Sequence, residues 1–352
     1  METVVKNIVE GVIEISDDTN FDILSNNHEV TRAKIQITKS SRLNVIKEIT
    51  PLLFRSQPLN LHYPSLKKVI NESDVIHHHY PFPTMEFSLF RFLNLMRDKK
   101  FIITWHANIK NSRWSWIEKI YNPLITKLLD RADAIVVTSP QLFEASDVLK
   151  KYSDKIKVIP LSFNPKYALS KSKQFPKDKP FELLFVGKLR KYKGVEFLIT
   201  AIADLNVKLT IVGSGEEYQS LLLKVKELNI SEKVKFLVNA SDEELASLYS
   251  SSDLFVLPSI NEAEAFGVVQ LEAMANGLPV INTYLKSGVP FVSLNNQTGF
   301  TVEPKNAIDL KIAIEKIISN KALYEELSSN ALERVKVFTR EKMSNAYYEL
   351  YI

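Results

Sequence analysis

The sequence predicts an α/β protein made of two doubly wound domains on parallel sheets. Short apolar runs alternate with helix-like segments along most of the chain. The alternation falls into two series, and the stretch between them loses its periodicity and fills with lysine, serine and proline. A chain of 352 residues is long enough for two domains of ordinary size, and its 45% hydrophobic content supports folded cores rather than disorder.

The first series places strands at residues 21–24, 32–37, 75–77, 101–105, 134–138 and 157–160. The second places them at 181–186, 208–212, 234–237, 254–257, 279–281 and 299–302. Strands alternating with helices are joined by crossover connections, which favour parallel pairing. The aperiodic stretch 164–180 reads as the interdomain linker, giving a first domain over 1–164 and a second over 165–338. Residues 339–352 read as a terminal helix carrying Tyr347, Tyr348 and Tyr351.

Bulk properties exclude several classes. With no cysteine, neither disulfides nor thiolate chemistry is available. The formal charge of +4 is mild: it permits an anionic substrate or a lipid surface and does not call for nucleic acid. No apolar run approaches the length of a membrane span and no secretory leader pattern opens the chain, so the expected location is cytoplasmic, with the inner face of a membrane as an alternative.

The most informative run is Glu264-Ala-Phe-Gly-Val-Val-Gln-Leu-Glu272. It follows a buried strand that stops at Pro258-Ser259, and Ala-Met-Ala-Asn-Gly277-Leu-Pro279 comes after it. The pattern reads strand, loop, then a helix starting near Phe266 or Gly267 and ending at Gly277. Free N–H groups and the helix dipole at such a start favour an anion, while carboxylates accept hydroxyls. A ligand with both phosphate and hydroxyls, such as a nucleotide sugar, fits that chemistry.

In this context the paired glutamates resemble the signature of retaining GT-B glycosyltransferases, in particular glycosyltransferase family 4 (glycosyl transferases group 1). The resemblance covers nearly the whole chain and is strongest from Phe181 to Val302. It implies two Rossmann-like domains facing across a cleft, with the terminal helix crossing back to the first. It also implies transfer of a hexose from a GDP- or UDP-linked donor to an acceptor hydroxyl with net retention. By resemblance, Glu264 faces the donor sugar hydroxyls, and the backbone around Ala265, Phe266, Gly267, Val268 and Val269 meets sugar or phosphate. Glu272 accepts from the ribose.

Other segments match with departures. In Phe185-Val-Gly187-Lys-Leu-Arg-Lys-Tyr-Lys193-Gly194, Lys193 falls on the family's diphosphate-binding lysine. Lys188 stands where arginine is usual and supplies charge without a planar two-pronged donor, and Arg190 lies close enough in sequence to share the role. Gly213-Ser-Gly215 after a strand matches the loop lining the nucleotide pocket; it lacks the third glycine of a dinucleotide fingerprint. Val238 stands where glycine is frequent near the base.

In the first half, Asp74-Val-Ile-His-His-His-Tyr-Pro resembles the family's strand-closing histidine pattern. Alternation along a strand lets only His77 and His79 converge, and no acidic or thiol partner stands at ligand spacing, so no metal is expected. His106 ends the strand-like Phe101-Ile-Ile-Thr-Trp, and the resemblance puts it at the donor sugar or reacting centre. Residues 84–97 are amphipathic, and Trp114 and Trp116 follow among basic residues; core packing and an acceptor- or membrane-facing surface both fit, so a glycan or lipid-linked acceptor and a peripheral membrane contact stay open.

Family 4 chains usually begin with a strand and a Gly-Gly loop, whereas here a helix pattern starts at the first residues. The expectation is a start truncated or misassigned by roughly fifteen residues. No Asp-x-Asp occurs, which fits a site needing no metal or other cofactor beyond the donor co-substrate. The rivals are a catalytically impaired sugar-nucleotide binder or scaffold partner of another transferase, an epimerase, and a phosphorylase, for which the chain is too short.

Overall fold

The structure, a computed structural model, describes residues 2–26, 36–54, 57–60, 62–108, 118–168, 172–176 and 179–352. In chain order the first half contains α1 (Glu2–Ile15), β1 (Phe21–Asn26), β2 (Gln36–Lys39), β3 (Leu43–Glu48), β4 (Leu52–Phe54), β5 (Gln57–Leu59), α2 (Leu66–Glu72), β6 (Val75–Tyr80), α3 (Pro83–Arg91), β7 (Lys100–Trp105), α4 (Glu118–Arg131), β8 (Ala134–Val137), α5 (Pro140–Glu144) and β9 (Ile156–Val158). The second half contains β10 (Phe181–Val186), α6 (Val195–Ala201), β11 (Val207–Val212), α7 (Tyr218–Glu227), β12 (Val234–Leu237), α8 (Asp242–Ser251), β13 (Leu254–Val256), α9 (Val268–Met274), β14 (Val280–Thr283), α10 (Val289–Val292), β15 (Gly299–Val302), α11 (Ala307–Ile318), α12 (Lys321–Val335) and α13 (Arg340–Tyr351).

The chain divides into two compact units. One comprises residues 1–138, 146–159 and 343–352; the other comprises 139–145 and 160–342. In the second unit six strands pair in the order β12-β11-β10-β13-β14-β15, all parallel. Strand order therefore reverses between β10 and β13. In an open parallel sheet the loops leaving two such strands diverge to opposite faces, opening a crevice at their carboxyl ends where ligands bind. The strands are apolar on both faces: Leu183, Leu184, Phe185, Leu254, Phe255 and Val256 are fully buried, as helices on both sides require.

In the first unit β6-β7-β8-β9 form one parallel sheet and β1-β3-β2 another, in which β2 runs antiparallel to β3. The sequence pattern predicts parallel sheets throughout, and the antiparallel β2–β3 and β4–β5 pairs depart from it. Strand β3 and the β4–β5 hairpin are absent from that pattern as well. In β3 the polar Asn44, Lys47 and Glu48 interrupt Leu43, Val45 and Ile46, so no continuous apolar run marks the strand. The expected strand at 32–37 begins outside the described residues and is observed only from Gln36. Trp114 and Trp116 also lie outside them. Helix α1 is the first described element, and the unit's described strands fall in three sheets rather than one: β1-β3-β2, the β4–β5 hairpin and β6-β7-β8-β9.

The ends of the units differ from the sequence reading at the linker and not at the terminal helix. The described parts of 164–180 pack on the second unit: the Tyr167 hydroxyl donates to Asp242, Lys173 bonds Ser328 and the carbonyl of Ser250, and Phe175 meets Phe181 and Tyr324 edge-on. Buried aromatic and hydrogen-bonded anchors hold in place a stretch that composition alone marks as a linker. At the other end, Met343 and Tyr347 of α13 join Ile8, Val12, Ile102, Ala134, Val136 and Ile159 in the core of the first unit.

Candidate functional site

The switch point between β10 and β13 carries the donor motifs. After β10 the chain passes Gly187 and Lys188 to a short 3-10 turn, Lys191–Lys193, and then Gly194. The Gly187 loop lies against the Gly213–Gly215 loop that follows β11: the Gly187 N–H donates to the Val212 carbonyl, and the Leu189 N–H to the Ser214 carbonyl, each at 2.9 Å. Gly194 is left-handed (φ 63°), and a Cβ on it would stand 2.2 Å from the Pro258 carbonyl oxygen. Only glycine lets the loop after β10 press against the segment after β13, and that contact brings Lys193 to Glu264.

Lys193 and Glu264 form a buried ion pair, with side-chain exposures of 9% and 10%. Ser259 Oγ donates to the same Glu264 oxygen, Oε2, at 3.0 Å, and the Thr283 hydroxyl donates to the Ser259 carbonyl at 2.5 Å. The carboxylate is thus held from two sides, through one oxygen. The Lys193 ammonium lies 5.6 Å from the centroid of the Tyr192 ring and close to Gly187. Lys188 is exposed, and Arg190 lines a small recess with Lys191, Val195, Glu196, Glu217 and Leu221.

Gly267, left-handed at φ 75°, is the N-cap of α9. A Cβ there would meet Gln270 at 2.7 Å and Leu257 at 2.8 Å. The helix runs from Val268 to Met274, close to the expected bounds. Buried Gln270 fixes its start: its amide reaches the carbonyls of Phe266 and Gly267 and accepts from Asn282 Nδ2 at 2.8 Å.

Glu272, on the second turn of α9, belongs to a different network. It accepts from the Tyr249 hydroxyl of α8 at 2.7 Å. Burial, the largest cause, pushes its carboxyl up to about 7; the bond from Tyr249 opposes this and the charge of Asp242 adds to it. Tyr249 is fully buried and stacks obliquely near Tyr167. Val238 is 42% exposed beyond the end of β12.

The first unit holds His106 just past β7. Its Nε2 lies 2.9 Å from Nδ1 of His79, and its backbone N–H donates to the Tyr80 carbonyl. His77 and His79 share a face, ring centroids 4.3 Å apart, while buried His78 turns to the other face and bonds Glu86 at 2.8 Å. Among the described residues no cluster of three or more His, Cys, Asp or Glu is arranged to hold a metal ion. Tyr249 and Asn282 stand outside the motifs, and Ser259 and Gln270 lie within the quoted runs without a role; all four are found by their buried contacts with Glu264, Glu272 and the start of α9.

A doubly wound domain with basic loops, glycines and carboxylates at its switch point has the makings of a nucleotide-sugar-dependent transferase. The chain belongs to the glycosyltransferase family of this kind: "Glycosyltransferase Family 4" matches residues 1–167 and "Glycosyl transferases group 1" matches 168–334. It is 32% identical to D-rhamnosyltransferase WbpZ of Pseudomonas aeruginosa, over 78% of this chain and 72% of that one. It is 28% identical to O-antigen chain mannosyltransferase C of Escherichia coli, over 81% and 76%. Among solved structures, sucrose-phosphate synthase of Thermosynechococcus elongatus superposes with a TM-score of 0.78 at 24% identity, over 99% of this chain and 91% of that one. HepE of Anabaena in complex with UDP gives 0.69 at 20% identity, over 81% of each. The fold is that of the GT-B glycosyltransferases, with two Rossmann-like domains, and the protein is a glycosyltransferase that uses a nucleotide-sugar donor.

Proposed function

We propose that the protein transfers a hexose or deoxyhexose from a GDP- or UDP-linked donor to a hydroxyl of a growing glycan, with retention at the anomeric carbon. The observation that carries this reading is the buried Lys193–Glu264 pair at the β10/β13 switch point. The arriving diphosphate competes with Glu264 for the Lys193 ammonium. Once Lys193 turns to phosphate, Glu264 is free to accept from sugar hydroxyls, held in place by Ser259. Lys188, Arg190 and the N–H groups at the start of α9 add to the positive field, and the lack of an Asp-x-Asp element favours this arrangement over a metal-bound diphosphate.

In the proposed step the bond from the anomeric carbon to the diphosphate oxygen breaks while the acceptor oxygen bonds the same face of that carbon. The acceptor's proton passes to the departing phosphate oxygen. Lys193 stabilises the charge that grows there. The ribose hydroxyls bond Glu272 beside Tyr249. Rhamnosyl and mannosyl transfer by the two relatives supports a hexose-type donor, and the O-antigen chain named for one of them supports a glycan acceptor, lipid-linked in the simplest case and reached at a membrane surface.

Proton NMR of the sugar first released from α-linked GDP- and UDP-sugars tests the stereochemistry without an acceptor in hand. Retention predicts the α anomer before mutarotation. The β anomer appearing first would contradict it.

A further inference from the structure

We propose that His79 is a positioning residue for His106, fixing which nitrogen of the His106 ring carries its proton. The proposal rests on the reading of His106 as a residue of the reacting centre. Strands β6 and β7 run parallel with His77 opposite Ile102 and His79 opposite Thr104. Side chains at directly opposed positions share a face, so His77, His79, Thr104 and His106 all project from one side of the sheet. On this face each β6 histidine reaches one step further along the chain of β7: His77 Nε2 meets Thr104 Oγ1 at 2.7 Å, and His79 Nδ1 meets His106 Nε2 at 2.9 Å.

The upstream end of this ladder is anchored. His77 Nδ1 bonds the Tyr351 hydroxyl at 2.8 Å, and Thr104 also bonds the Tyr347 hydroxyl at 3.1 Å. With both nitrogens engaged, the His77 ring cannot turn, and His79 is held between it and His106, with centroids at 4.3 and 5.2 Å. Burial, with the neighbouring histidines, holds His79 well below the ordinary imidazole range, and burial likewise drives His106 down to about 3, so both rings are neutral near pH 7.

Two neutral imidazoles joined by one hydrogen bond share one proton between the facing nitrogens. If His106 donates from Nε2, its Nδ1 is bare and accepts; if His79 donates from Nδ1, His106 carries its proton on Nδ1 and donates there. The tautomer His106 offers to a substrate is therefore set jointly with His79, whereas a free imidazole would present a mixture.

Histidine ¹⁵N NMR reads the tautomer directly. The wild-type protein is expected to show His106 in a single tautomer, assigned by its loss in His106→Ala. His79→Ala is expected to give averaged nitrogen shifts. His79→Asn, whose amide sits near the position of Nδ1, is expected to restore a single form, and His79→Gln, whose amide sits near Nε2, is not. Unchanged His106 shifts in His79→Ala would overturn the proposal. In turnover assays His79→Ala should lower kcat between roughly 10-fold and 100-fold with nucleotide affinity unchanged, His79→Asn should recover most of it, and His79→Ala on top of His106→Ala should add nothing. If His106→Ala leaves kcat unchanged, the reading of His106 as a site residue fails, while the nitrogen shifts still decide whether His79 sets its tautomer.

Discussion

Glu264 and Glu272 share one motif and live in different electrostatic surroundings. Glu264 has a buried cation beside it, so removing that cation strands its charge. Lys193→Ala should destabilise the second unit by roughly 3–5 kcal/mol in urea denaturation, and Lys193→Ala with Glu264→Ala should recover most of the loss, because a buried pair costs more to break than to replace. Among the described residues Glu272 meets no cation, only the Tyr249 hydroxyl, and its carboxyl sits at about 7 against an ordinary 4.5. A raised pKa favours the protonated folded state: that stabilisation is full below about 4.5 and gone once the pH passes about 7. Glu272→Gln should therefore be more stable than wild type at pH 8, by at most about 3 kcal/mol, with the gap closing towards pH 5. If ionised Glu272 holds the ribose, nucleotide affinity should fall as pH drops through 7 in the wild type and stay level in Glu272→Gln. Calorimetric titration across that range checks both signs.

Elements explain why these residues meet. Gly194 lets the loops after β10 and β13 come together, Gly267 lets the second of them turn into α9, and the strand order makes those two loops neighbours. Much of this was legible in the sequence, because glycine, proline and charge at strand ends are local signals. Helix α9 begins within two residues of the expected start for that reason. Contacts between distant positions were not legible. Tyr351 meets His77 and Tyr167 meets Asp242 across long stretches of chain, and no local pattern announces either. Strand β3 was hidden because Asn44, Lys47 and Glu48 interrupt its apolar residues and leave neither a continuous run nor a clean alternation. Helix α13 gives an element-scale prediction. Tyr347 is fully buried, bonds Thr104 and packs against the core under β7 and β8. Tyr347→Ala should cost about 3–5 kcal/mol in the first unit by leaving a large cavity, and Tyr347→Phe should cost about 1 kcal/mol for the lost hydrogen bond. Thermal denaturation of the two variants separates packing from polarity.

At the scale of the molecule, the two units should respond to acid in opposite ways. In the first unit burial lowers His77 and His106 to about 3 from an ordinary 6.5. A lowered pKa contributes stability that is present above 6.5 and lost as pH falls through about 3, because the unfolded chain takes up the protons first. In the second unit Glu272 works the other way. Hydrogen exchange at pH 5 and pH 8 should show the strands of the first unit losing protection in acid relative to those of the second. The fold class was readable from alternating strands and helices alone, since it depends on pattern. The donor and the acceptor are not readable from pattern, since they depend on pocket shape around positions such as Lys188 and Val238. The central claim, that the β10/β13 switch point of this glycosyltransferase binds the donor's nucleotide, is tested most directly by calorimetric titration with GDP, UDP and ADP of the wild type, Lys193→Ala and Glu272→Ala. The account predicts binding of GDP or UDP in the wild type and a loss of affinity in both variants. Binding of equal strength in all three proteins, or none in the wild type, would contradict it.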